Sequence, residues 1–94
     1  MKSIEVMGKT IKIKKVKHLL RDKNTYGTFS AKRLEIRIDK HLTKKTYEET
    51  MAHEILHCVL YLSGFNQFLS GKKEEAFVRL IENNFLDAYK KIIK

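Results

Sequence analysis

Residues 51–60, Met-Ala-His-Glu-Ile-Leu-His-Cys-Val-Leu, constrain this chain more than any other stretch. An α-helix turns every 3.6 residues, so the imidazoles of His53 and His57 stand one above the other on one face. Two imidazoles so placed can hold one metal ion from the same side. Glu54 projects about 100° from His53, where it reaches a water on such an ion rather than the ion itself. On a helical wheel Thr50, His53, Glu54, His57 and Tyr61 share a sector of roughly 100°. Met51, Ala52, Ile55, Leu56, Cys58, Val59, Leu60 and Leu62 fill nearly all the rest. A helix this apolar is expected to be buried on several sides. Its single polar stripe then needs a specific partner, because unpaired buried polar groups are costly.

The ends of this helix are written in the sequence. Thr46-Tyr47-Glu48-Glu49 has the Thr-x-x-Glu capping-box pattern, and Thr43 can cap a helix that starts one turn earlier. Ser63-Gly64 closes it, with glycine suited to the left-handed position after a C-cap. The chain has no proline to break it.

The flanking segments predict a small sheet and a second helix. Ile4 and Val6 alternate with polar residues, and after Gly8, a natural turn residue, Ile11 and Ile13 alternate with Lys12 and Lys14. Val16 to Arg21 reads either as an extension of that strand or as one helical turn. Asp22-Lys23-Asn24 is a turn signal. A short strand over 26–30 follows, with Gly27 suggesting a bulge. Leu34-Glu35-Ile36-Arg37-Ile38 alternates cleanly, with Leu34, Ile36 and Ile38 on its buried face. Ser70 can cap a final helix over 71–93, whose apolar stripe is Val78, Ile81, Phe85, Ala88 and Ile92. No linker or internal repeat interrupts the chain. The expected architecture is α+β, one domain over 1–94, with three or four mostly antiparallel strands against two helices.

Composition narrows the partners. A chain of 94 residues supports one modest core, and a bound metal would add stability that such a core lacks. One cysteine, Cys58, excludes an internal disulfide and fits a reducing compartment. It lies about 140° from His53 around the helix and is expected in the core rather than on a metal. No apolar run is long enough for a membrane helix, and the first residues lack the apolar stretch of a signal peptide, so a cytoplasmic location is expected. The net charge of +9 raises nucleic acid as a partner. The distribution argues against it: basic residues crowd the first 23 positions, on alternating strand positions, and none falls between Thr46 and Gly71. A solvated basic surface is the simpler reading.

A catalytic zinc ion takes three protein ligands and leaves a fourth position for water. After His53 and His57, Glu74 and Glu75 at the start of the last helix are the candidates for the third. A helix, short loop and helix can bring them back over the motif. Both are also ordinary first-turn acids, favoured there by the helix dipole. His18, in a lysine-rich stretch, and His41, in a connection, are poor candidates.

The run Glu49-Thr50-Met51-Ala52-His53-Glu54-Ile55-Leu56-His57, followed by a glycine, resembles minimal zincin-like metallopeptidases. Such small proteins are encoded by phages, prophages and mobile elements and are related in pattern to the ImmA/IrrE peptidases. Glu75-Ala76-Phe77-Val78 is similar to the Glu-x-x-Val helix of that group, and the resemblance runs from about Tyr26 to Leu86. Asn84 departs from it, where related sequences often have glycine. The glycine and third histidine that extend the motif in metzincins are absent. The resemblance implies a minimal zincin fold, zinc on His53, His57 and Glu75, with Glu74 as the alternative, and Glu54 as the base that activates water. It implies a peptide or protein substrate in a cleft beside strand 34–38, whose exposed edge would pair with it. Tyr26 or Tyr61 is then a candidate to stabilise the oxyanion, although each also suits a packing role. The competing expectation is a non-catalytic module with a degenerate site that binds DNA or a regulatory protein.

Overall fold

The computed structural model describes residues 2–17, 19 and 25–93. His18, Leu20 and Arg21 of the ambiguous segment 16–21, together with the 22–24 turn, lie outside them. Strand β1 (Lys2–Val6) and strand β2 (Lys9–Val16) form a hairpin in which Val6 faces Lys9. Its two-residue connection, Met7-Gly8, has φ of 51° and 80°. Positive φ at both central residues is what the right-handed twist of a tight hairpin demands. Gly8 meets that demand freely, and Met7 adopts it at some steric cost.

Strand β3 (Gly27–Ser30) turns back antiparallel onto β4 (Glu35–Asp39), and β4 pairs parallel with β2. The sheet order is β1-β2-β4-β3. The sheet is therefore mixed, with two antiparallel pairings and one parallel. The parallel pairing has no local turn to announce it in the sequence. It also moves the free edge. Strand 34–38 was expected to offer an edge to a cleft, but β4 is interior and paired on both sides, and the edge strands are β1 and, beside β4, β3. Interior position explains why β4 is buried on both faces: Ile36 and Ile38 point into the core, while Glu35 and Asp39 are buried on the opposite face.

Helix α1 (Lys44–Leu62) begins after Thr43, whose hydroxyl accepts from the Thr46 amide at 3.2 Å. The earlier of the two candidate caps is the one used. The helix ends at Ser63, and Gly64 takes φ of 79°. Cys58 is fully buried with Ile11, Ile36 and Ile38, and Tyr47, Met51, Ile55 and Leu62 pack around that cluster. One face of α1 thus sits on the sheet. The expectation that it is buried on several sides holds in part: Leu60, about 160° around the helix from Cys58, is 7% exposed, while Val59 is 36% exposed. The domain is too small to surround a 19-residue helix.

A 3₁₀ turn (Phe65–Phe68) leads to α2 (Gly71–Leu80), capped by the Ser70 hydroxyl on the Lys73 amide. The helix expected over 71–93 is unbroken over those residues, but its middle is wound as a π-helical segment (Ile81–Leu86) between α2 and α3 (Asp87–Ile93). The Asn84 side-chain amide donates to the Leu80 carbonyl at 2.9 Å, where the helix widens. Wider turns rotate the residues beyond. Val78 is in the core, but Phe85 and Ile92 are 64% and 79% exposed, and Phe85 stacks on Tyr89 instead. No described helix is long and apolar enough to cross a membrane.

Candidate metal centre

Helix α1 carries His53 and His57 one turn apart, and α2 returns antiparallel over them through the short 65–70 connection. The Nε2 atoms of the two histidines lie 3.2 Å apart. The Glu75 carboxylate bridges them, Oε1 at 2.9 Å from His53 Nε2 and Oε2 at 3.0 Å from His57 Nε2. These three residues are the metal-competent group among the described residues.

Each imidazole is also held from behind. His57 Nδ1 lies 2.6 Å from Glu74 Oε2, and His53 Nδ1 lies 2.7 Å from Glu82 Oε2. A carboxylate only accepts, so each Nδ1 carries the proton and donates it. Each Nε2 is thereby left free to present a lone pair toward the other and toward Glu75. Two ring nitrogens 3.2 Å apart, each about 3 Å from one of the two Glu75 oxygens, repel one another and the carboxylate unless a cation lies between them, a metal ion or protons on the ring nitrogens. A tetrahedral zinc ion about 2.1 Å from each donor spaces its ligands about 3.4 Å apart. One donor atom from each of the three residues lies within 4.8 Å of the others, close enough to share one ion, and the donor set, two imidazoles and a carboxylate, suits zinc. The residues present therefore fit the metal.

Glu54 sits beside this point and is 8% exposed. Burial pushes its carboxyl above the ordinary value of 4.5, and the neighbouring histidines pull the other way. Among the described residues its carboxylate has no hydrogen bond or ion pair. The stem of Glu54 is pressed by β3: a Cβ built on Gly27 would lie 2.7 Å from Thr50 Cγ2 and 3.4 Å from Glu54 Cγ. Glycine here serves close approach of strand to helix rather than the bulge the sequence suggested, and its backbone stays in register with Ile38.

Two openings of about 380 and 410 Å³ meet at the site, sharing Thr25, Gly27, His53, Glu54 and Glu75. Together they form a cleft along β3. Tyr26 O accepts from the Asp39 amide at 2.9 Å, so the backbone of residue 26 faces β4. By the alternation of an antiparallel ladder, Gly27 and Phe29 turn their backbone groups to the free edge. Tyr26 lines the cleft, whereas Tyr61 packs its ring against Phe29 at 6.0 Å between centroids and lines neither opening.

The three residues named for the metal are thus brought together. Glu74, weighed as an alternative ligand, reaches the far nitrogen of His57 instead. Cys58 points into the core, as the helical wheel predicts, and burial raises its thiol pKa. The Glu82 contact was not foreseen. The signal was present, because a seven-residue spacing from Glu75 returns to the same helical face within about 20°. No family model, curated protein or solved structure matches the chain.

Proposed function

We propose that this chain is a zinc-dependent metallopeptidase with a minimal zincin fold. The observation that carries the reading is the convergence of His53 Nε2, His57 Nε2 and the Glu75 carboxylate beside a buried, unneutralised Glu54. The zincin reading of the fold is supported by the order of parts: an edge strand, a cleft, the helix with both histidines, and a second helix bearing the glutamate.

In this mechanism His53, His57 and Glu75 would hold the metal. Glu82 and Glu74 fix the ring orientation and tautomer of each histidine, and their charge makes the ring nitrogens better donors. Zinc, when bound, supplies a polarising centre and lowers the pKa of its water toward 7. Glu54 would take the proton of the attacking water and return it to the departing amine. Its burial favours the protonated form, which suits the second half of that task. The free edge of β3 aligns an extended peptide along the cleft. Of the two candidate tyrosines, Tyr26 lines the cleft and is the one proposed to donate to the developing oxyanion.

The test is zinc-dependent hydrolysis of peptides by the full chain. Hydrolysis that requires zinc, and that Glu54→Gln removes while zinc stays bound, supports the reading. Zinc bound by four protein ligands, or absence of bound zinc, defeats it. The same measurements separate it from a non-catalytic module for DNA or a regulatory protein, which would show no hydrolysis and, for DNA, steeply salt-dependent binding.

A further inference from the structure

The charge of the cleft is opposite to that of the protein. The chain has 20 lysines and arginines against 11 acids. Yet Glu49, Glu54, Glu74, Glu75 and Glu82 all line the two openings, and Arg79 is the one lysine or arginine there among the described residues. A dipositive metal and Arg79 together neutralise three of the five carboxylates, so the loaded cleft is still anionic. The acids are not interchangeable. Glu75 meets both histidines, Glu74 and Glu82 are tied to their outer nitrogens, and Glu54, more than nine-tenths buried and unpartnered, faces the reacting centre. Glu49 is left over. It lines the opening beside Thr50 and makes no ion pair among the described residues.

We propose that the cleft selects a basic peptide segment, and that Glu49 receives a lysine or arginine side chain next to the scissile bond. This rests on the peptidase reading and names its substrate class. Glu49 stands one helical turn before His53, about 6 Å along α1 at 1.5 Å per residue. An extended peptide advances about 3.3 Å per residue, so the side chain that meets Glu49 belongs to one of the two residues nearest the metal on that side. An acidic peptide meets unfavourable charge in the cleft. A basic one is repelled by the rest of the surface and drawn to this one region, which concentrates it where the chemistry is.

The experiment uses three labelled peptides of equal length whose central residues are lysine and arginine, glutamine, or glutamate. Their binding to the zinc-loaded Glu54→Gln full chain is followed by fluorescence anisotropy at low and raised salt, and their hydrolysis by the zinc-loaded wild type is followed in parallel. The basic peptide is expected to bind about tenfold more tightly than the neutral one, with the acidic peptide weakest, the order compressing as salt screens the cleft. Glu49→Lys is expected to erase most of that preference. Equal binding of all three peptides, or a preference that survives Glu49→Lys, overturns the proposal. Hydrolysis without charge preference sinks the proposal and leaves the peptidase reading standing. Selective binding without hydrolysis by the wild type supports the basic-segment cleft and sinks the peptidase reading.

Discussion

Two buried glutamates in this molecule have opposite environments. Glu35 lies in the interior strand β4 and is 3% exposed. It accepts from Arg37 Nε at 2.8 Å and pairs with Lys14 Nζ at 3.2 Å. The Arg37 hydrogen bond, outweighing burial and helped by Lys14, holds its carboxyl below the ordinary value of 4.5. Glu54 is nearly as buried on α1, has no such cation, and is pushed above that value by loss of water. Burial is common to both, so it is not what makes a carboxylate reactive. The partner decides. A paired carboxylate is fixed as an anion and serves the fold. An unpaired one next to a metal-competent cluster can take and release a proton.

Substitutions can break that contrast. Glu54→Gln is expected to cost 10²–10⁴-fold in hydrolysis, the range for a positioned base, with zinc content unchanged by metal analysis. Because it removes a charge that burial disfavours, the same variant should melt at higher temperature than wild type in neutral buffer. Glu82→Ala should lower zinc affinity about 10–100-fold in a competition titration with a chelating dye, and Glu74→Ala similarly, because each frees the ring it holds. If the two variants bind zinc as tightly as wild type, the contacts behind the histidines are incidental. Gly27→Ala should lose about 1–3 kcal/mol by denaturant titration through the clash with Thr50 Cγ2. Adding Thr50→Ser, which deletes that methyl, should recover part of the loss. Glu35→Gln should leave hydrolysis intact and cost about 1 kcal/mol, since both of its cations are partly exposed.

The pH dependence of the metal-free protein sharpens the contrast with the smallest shifts. A lowered folded pKa means that the Glu35 contribution is complete above the ordinary value of 4.5 and fades as pH falls through the folded value. Wild type and Glu35→Gln should therefore converge in melting temperature in acid. For Glu54 the sign reverses: its folded pKa is raised, so its favourable contribution exists below 4.5 and is lost as pH climbs through the folded value. The advantage of Glu54→Gln should open as pH rises from 4.5 through that value and be complete above it.

The sequence made parts of this contrast legible and hid others. Glu54 is recognisable because the motif fixes its neighbours within one helical turn. Glu35 is not. It alternates with Leu34 and Ile36 like any solvent-facing strand residue, and only the nonlocal parallel pairing of β4 with β2 makes its strand interior. The same pairing hid which strand owns the free edge. Helix ends were readable from Thr43, Ser63-Gly64 and Ser70, because capping is local chemistry. The choice between Glu74 and Glu75 depends on how α2 is rotated against α1, which a wheel drawn for α2 alone does not contain. The π segment escaped for a related reason. Nothing in Ile81–Leu86 breaks the 3.6-residue pattern outright, and the exposed Phe85 and Ile92 would have been placed inside by periodicity.

The brevity of β3 has a consequence for solubility. A free strand edge is an invitation to any extended chain, including another copy of the same protein, and long edges nucleate aggregates. This edge is four residues, about 13 Å at 3.3 Å each. The Gly27 carbonyl is already occupied by the Thr25 hydroxyl at 3.0 Å. The remaining outward groups amount to little more than one ladder pair at Phe29. An adventitious strand gains too little backbone pairing there to stay, so the proposed peptide substrate would be aligned by this edge but held chiefly by its side chains, and the protein can keep an open edge without seeding fibrils from it.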